Sequence, residues 1–86
     1  MSDLAENDDM LQHPDEMMKR MGARIKALRK QKGFTNADFF AYHHNISRSQ
    51  YHRYENGLDL RFSSIIKLAN AFEMTIKDFF SEGFSD

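Results

Sequence analysis

An all-α fold, a compact bundle of five short helices, is what this sequence predicts, and three observations carry the prediction. Only one proline and four glycines interrupt 86 residues, too few for the turns of a many-stranded sheet. Apolar residues recur at spacings of three and four. Helix-start patterns recur too, at Thr35-Asn36-Ala37-Asp38, Ser47-Arg48-Ser49-Gln50 and Thr75-Ile76-Lys77-Asp78. With 41% hydrophobic residues, eight Phe and three Tyr, the chain is too aromatic to be disordered. The absence of cysteine excludes a disulfide framework, a cysteine-ligated zinc finger and a thiol nucleophile together. No apolar run approaches the ~18 residues of a membrane span, and no signal segment opens the chain, so a cytoplasmic protein without membrane attachment is expected.

Taken in order, residues 1–13 are acidic, lack a sustained apolar period and read as a flexible tail. Pro14, with Asp15 and Glu16 behind it, starts the first helix of a domain expected over residues 14–82. Met18, Met21, Ile25 and Leu28 then lay an apolar stripe along that helix, which Gly33 stops. The Thr35 box opens a second helix with Ala37, Phe40, Ala41 and His44 on one face and Phe39 directed at a neighbouring helix. His44-Asn45 ends it, since asparagine tolerates the left-handed conformation of a tight turn. Ser47 and Gln50 cap a third helix that runs to Glu55, before the Asn56-Gly57 stop. A fourth helix spans Arg61 to Phe72, with Phe62, Ile65, Ile66, Leu68, Ala69 and Phe72 as its apolar positions. Thr75 opens a fifth through Phe80. Residues 83–86 form a short C-terminal tail from which Phe84 can still pack down. Phe79, Phe80 and Phe84 either close the end of the bundle or leave apolar surface for a dimer.

Charge is uneven behind a net −1. Residues 1–16 carry −6, residues 17–67 carry +8 and residues 68–86 carry −3. A basic middle between acidic ends suits a polyanion-binding body. For the bases from Lys19 to Lys32, an ordinary solvated face is an equal alternative.

The second and third helices, joined by three or four residues, form a helix-turn-helix. Tyr51 and Tyr54 bury one side of the third. Arg48 with His52, and Ser49 with Arg53, stand four apart and point the other way, with no carboxylate on the helix until Glu55. An α-helix fits the DNA major groove, where arginine pairs with guanine O6 and N7.

The segments Arg24-Ile25-Lys26-Ala27-Leu28-Arg29-Lys30-Gln31-Lys32-Gly33-Phe34-Thr35 and Ile46-Ser47-Arg48-Ser49-Gln50-Tyr51-His52-Arg53-Tyr54-Glu55-Asn56-Gly57 resemble the Cro/C1-type (Xre-like) helix-turn-helix family. Ile65 to Phe72 and Ile76 to Phe80 continue the resemblance, which covers about residues 20–80. It implies a lambda-repressor-like DNA-binding domain, a sequence-specific regulator of transcription that acts as a repressor, and a homodimer on double-stranded DNA. Arg48, Ser49, His52 and Arg53 match base-contacting positions. Thr35, Asn36, Ser47, Asn56, Arg61 and Ser63 fall at phosphate-contacting positions or helix starts, where free N–H groups suit an anion. Glu55 matches a residue that buttresses a neighbouring helix. One extra residue between Gly33 and Ile46, a short loop after Gly57, Asn45 for a turn glycine, and two tyrosines for aliphatic residues depart from the pattern.

Gln50 reads as a cap ahead of a base contact. His43, His44 and His52 lack the spacing of a metal site, and no cofactor or metal is expected. The main alternative is a protein-interaction module, such as an antitoxin or anti-repressor, using the same bundle. An enzyme is not expected, because no nucleophile, base and orienting group combine and the chain is too small for a deep pocket.

Overall fold

Pro14 supplies the first turn of the longest helix, α1 (Pro14–Gln31), with Asp15 and Glu16 at its positive end and Arg29 and Lys30 at its negative end. The computed structural model describes residues 11–58 and 60–85. The tail expected over residues 1–13 therefore falls mostly outside the described residues. After α1 come α2 (Ala37–His43), α3 (Arg48–Glu55), α4 (Phe62–Ala71) and α5 (Ile76–Phe79). All the regular elements among the described residues are helical, as expected.

Local chemistry accounts for the boundaries. Gly33 ends α1 at φ +95°, and the Phe34 N–H bonds back to the Arg29 carbonyl at 3.1 Å. The start of α2 differs from the expected Thr35 box. Asn36 is the cap, its side-chain oxygen accepting from the Phe39 N–H at 3.0 Å, and Thr35 lies one residue before it. Asparagine caps at least as well as threonine, and this register places Phe40 and Ala41 in the core. Asn45 takes φ +57°, and the Ile46 N–H returns to the Ala41 carbonyl at 2.9 Å, closing the turn. Ser47 Oγ caps α3 by accepting from the Gln50 N–H at 3.2 Å. The reciprocal half of that box is absent, because Gln50 Nε2 donates instead to the Tyr54 hydroxyl at 3.1 Å. Thr75 caps α5 in the same way, accepting from the Asp78 N–H at 3.0 Å.

The core draws on every helix: Met21, Ile25 and Leu28, then Phe40 and Ala41, Tyr51 and Tyr54, Ile65, Leu68, Ala69 and Phe72, and Phe79. Phe40 is its hub, with ring centroids 5.1 Å from Tyr51 and 5.2 Å from Phe72. The C-terminal end of α3 meets α1 backbone to backbone. A Cβ on Gly22 would stand 2.5 Å from the Glu55 carbonyl oxygen, and one on Gly57 would stand 2.8 Å from that of Met18. Only glycine permits that approach.

Two apolar expectations are corrected. Phe62 and Ile66, assigned to the core, are 61% and 40% exposed, because α4 is buried only along the face of Ile65, Leu68 and Ala69. Phe39 meets the loop residue Phe34, at 5.8 Å, rather than another helix, and is largely exposed. Of the two uses expected for the C-terminal phenylalanines, closing the bundle end describes Phe79, which is fully buried, and Phe84, which lies 4.9 Å from Phe80 and 6.5 Å from Phe79. Phe80 itself stays 37% exposed. Two bases of α1 fit neither of the readings offered for them. Arg24 is buried and donates to the carbonyls of Phe79, at 2.8 Å, and Asp78, at 3.0 Å, capping the last helix. Arg29 is buried as well.

Candidate nucleic-acid interface

The face of α3 that can meet a ligand is defined first by the side it cannot use. Tyr51 is fully buried, and Tyr54 donates to Ser64 Oγ at 3.2 Å on α4. Burial pushes the Tyr51 phenol far above its usual pKa, with the neighbouring Glu55 adding to the shift. Glu55 accepts from Arg29 Nε at 2.7 Å and from Nη2 at 3.3 Å, while Arg29 Nη1 reaches the Phe34 carbonyl at 2.7 Å. The bond to Glu55 outweighs burial and raises the Arg29 pKa further. Glu55 is thus a buttress between α3 and α1, as expected.

On the opposite side Arg48, Ser49, His52 and Arg53 are all exposed. At ~100° per residue, Arg48 and Arg53 bracket an arc of ~140°, with His52 and Ser49 between them. The two flanks of this arc differ. On the Arg48 side a carboxylate arrives from α2, which corrects the expectation of a face free of acids. Asp38 Oδ1 stands 2.6 Å from His52 Nε2, and Asp38 Oδ2 stands 3.6 Å from Arg48 Nε. All three groups are substantially exposed, Arg48 to 76% and Asp38 to 45% of their side chains.

On the other flank Arg53 borders a cleft shared with Gln50, Tyr54, Arg61, Ser63, Ser64 and Lys67. Arg53, Arg61 and Lys67 have no ion-pair partner among the described residues. The sequence reading missed Lys67, although its spacing of four from Ser63 on α4 pointed to this side. It missed Asp38 as well, taking it only as the acid of the Thr35 capping box.

The remaining expected residues are spread along the same elements. Thr35 and Asn36 are exposed just before α2, close in sequence to Asp38. Ser47 is exposed at the start of α3, and Arg61 and Ser63 at the start of α4. Asn56 caps the far end of α3 and borders a different cleft, with Pro14, Met18 and Lys19 of α1. Among the described residues no group of three His, Asp or Glu is placed to hold a metal ion, and no helix is long and apolar enough to cross a membrane.

No curated protein and no solved structure matches the chain. A family model does: that of the helix-turn-helix, over residues 25–79, from the middle of α1 to the end of α5. That span holds the whole turn from α2 to α3 and every residue of the exposed arc, and the chain accordingly belongs to the Cro/C1-type (Xre-like) helix-turn-helix family.

Proposed function

We propose that the protein is a transcriptional repressor that lays α3 in the major groove of double-stranded DNA. The observation that carries this reading is the exposed arc Arg48, Ser49, His52 and Arg53 on a helix whose opposite side is locked into the core. Arg48 and Arg53 donate to base edges, with Ser49 and His52 reading between them. Around them Thr35, Asn36, Ser47, Asn56, Arg61 and Ser63 contact phosphate, and Lys67 joins Arg61 on the α4 side of the cleft. These contacts fix the register of the helix and supply much of the affinity.

A helix of eight residues covers only a few base pairs, so discrimination against a genome needs two of them. The protein therefore acts in the cytoplasm as a homodimer on two half-sites about 34 Å apart, one helical turn. An adaptor built on the same bundle would have no use for Arg53, Arg61 and Lys67 converging on one cleft.

Selection from a random duplex library tests this reading. Enrichment of a two-fold-related site, with affinity that falls steeply as salt rises, is the expected result. Recovery of unrelated sequences, bound no better than the starting pool, overturns it.

A further inference from the structure

On the exposed arc His52 differs from its neighbours, because one of its ring nitrogens is already hydrogen-bonded to a residue outside α3, Asp38. We propose that Asp38 is a positioning residue that decides what His52 reads: by holding Nε2–H, it turns Nδ1 into a hydrogen-bond acceptor aimed at the exocyclic amino group of adenine or cytosine. This rests on the reading of α3 as a major-groove helix.

The chemistry follows from the two groups. An ionised carboxylate only accepts, so at 2.6 Å the proton of the contact belongs to His52 Nε2. A neutral imidazole carries one N–H, which leaves Nδ1 as a bare acceptor. Nδ1 has no partner among the described residues, and the side chain is half exposed. In the major groove the donors open to an acceptor are the N6 amino group of adenine and the N4 amino group of cytosine. Without Asp38 either ring nitrogen can carry the proton, and His52 accepts or donates equally well. The same carboxylate lies 3.6 Å from Arg48 Nε, and the Arg48 side chain is 76% exposed. Asp38 is an anion, repelled by phosphate and already turned toward His52 and Arg48, so its role is to orient α3 side chains rather than to touch DNA.

The test starts from the site selected by the full chain, assayed at pH 8, above the ordinary imidazole range. The base pair that His52 reads is the one whose preference disappears in His52→Ala. At that pair the exocyclic amino group is deleted, with purine in place of adenine or 2-pyrimidinone in place of cytosine. In separate duplexes purine N7 is removed with a 7-deaza base. The parent should lose about fivefold in affinity on loss of the amino group, the worth of one neutral hydrogen bond, and nothing on loss of N7. Asp38→Asn, which offers both a donor and an acceptor to Nε2, should shrink the amino-group effect to less than about twofold. Asp38→Glu, which keeps the carboxylate, should retain it.

An amino-group deletion without effect in the parent, an N7 deletion that weakens binding, or an undiminished amino-group effect in Asp38→Asn each overturns the proposal. They leave the DNA-binding reading standing. A parent that selects no site at all overturns both. A merely structural part for Asp38 would lower affinity for every duplex alike, and it is excluded if the amino-group effect alone changes.

Discussion

Two arginine–carboxylate pairs join α3 to the rest of the molecule, and they are opposites in setting. Arg29 grips Glu55 through two nitrogens with both side chains nearly out of solvent, whereas Arg48 lies 3.6 Å from a half-exposed Asp38. The inner pair has exchanged its hydration for fixed partners, the Phe34 carbonyl included, so removing either member strands a charge in a poorly solvated site. The outer pair keeps its water and can release either partner at little cost. The same chemistry therefore anchors the helix on one side and leaves it free to bind on the other. The difference is burial.

The largest effect should come from breaking the inner pair. Arg29→Met or Glu55→Gln is expected to cost about 3–5 kcal/mol, read as a lowered urea midpoint, because the remaining charge stays buried without its partner. If either variant unfolds within ~0.5 kcal/mol of the parent, the contrast between the pairs is wrong. Next comes the glycine contact that lets α1 reach the end of α3. Gly22→Ala drives a Cβ to within 2.5 Å of a backbone oxygen, and a loss of about 1–3 kcal/mol is expected from the forced shift. At the outer pair Asp38→Asn should change stability by less than about 1 kcal/mol.

A histidine extends the comparison to pH. His44 packs against Phe40, at 4.4 Å, and its Nε2 is buried without a partner. Burial, with His43 and Lys32 adding repulsion, holds its pKa below the ordinary value. The unfolded chain therefore takes up this proton first, near pH ~6.5, and the folded protein only at lower pH. Full stability from this group is present above ~6.5 and is lost as pH falls through the folded value. His44→Gln should flatten that part of the melting-temperature profile, the smallest of these effects. An unchanged profile would place the titration elsewhere.

What the sequence made legible is what local chemistry decides. Pro14, Gly33, Asn45, Ser47, Gly57 and Thr75 mark boundaries because a cap or a positive φ involves only near neighbours. The outward set on α3 was legible for the same reason, since helical spacing alone separates Arg48 and Arg53 from Tyr51 and Tyr54. What escaped depends on how helices cross. Asp38 is fourteen residues from His52, and nothing local announces that it reaches across. Arg24 and Arg29 look like any other bases of α1, yet each meets acceptors more than 20 residues away. Phe62 and Ile66 have helical spacing, but spacing does not say how far around a helix its neighbours extend.

Under the proposed function, α3 has one flank for stability and another for recognition. Paired titrations of Arg48→Ala and Arg53→Ala, in operator duplex and in urea, test this most directly. Each variant should lose about 1–3 kcal/mol of operator binding and relax preference at one base position. Each should unfold at the parent's urea midpoint, within ~0.5 kcal/mol. Operator binding equal to the parent's, or a loss of binding matched by an equal loss of stability, would contradict it.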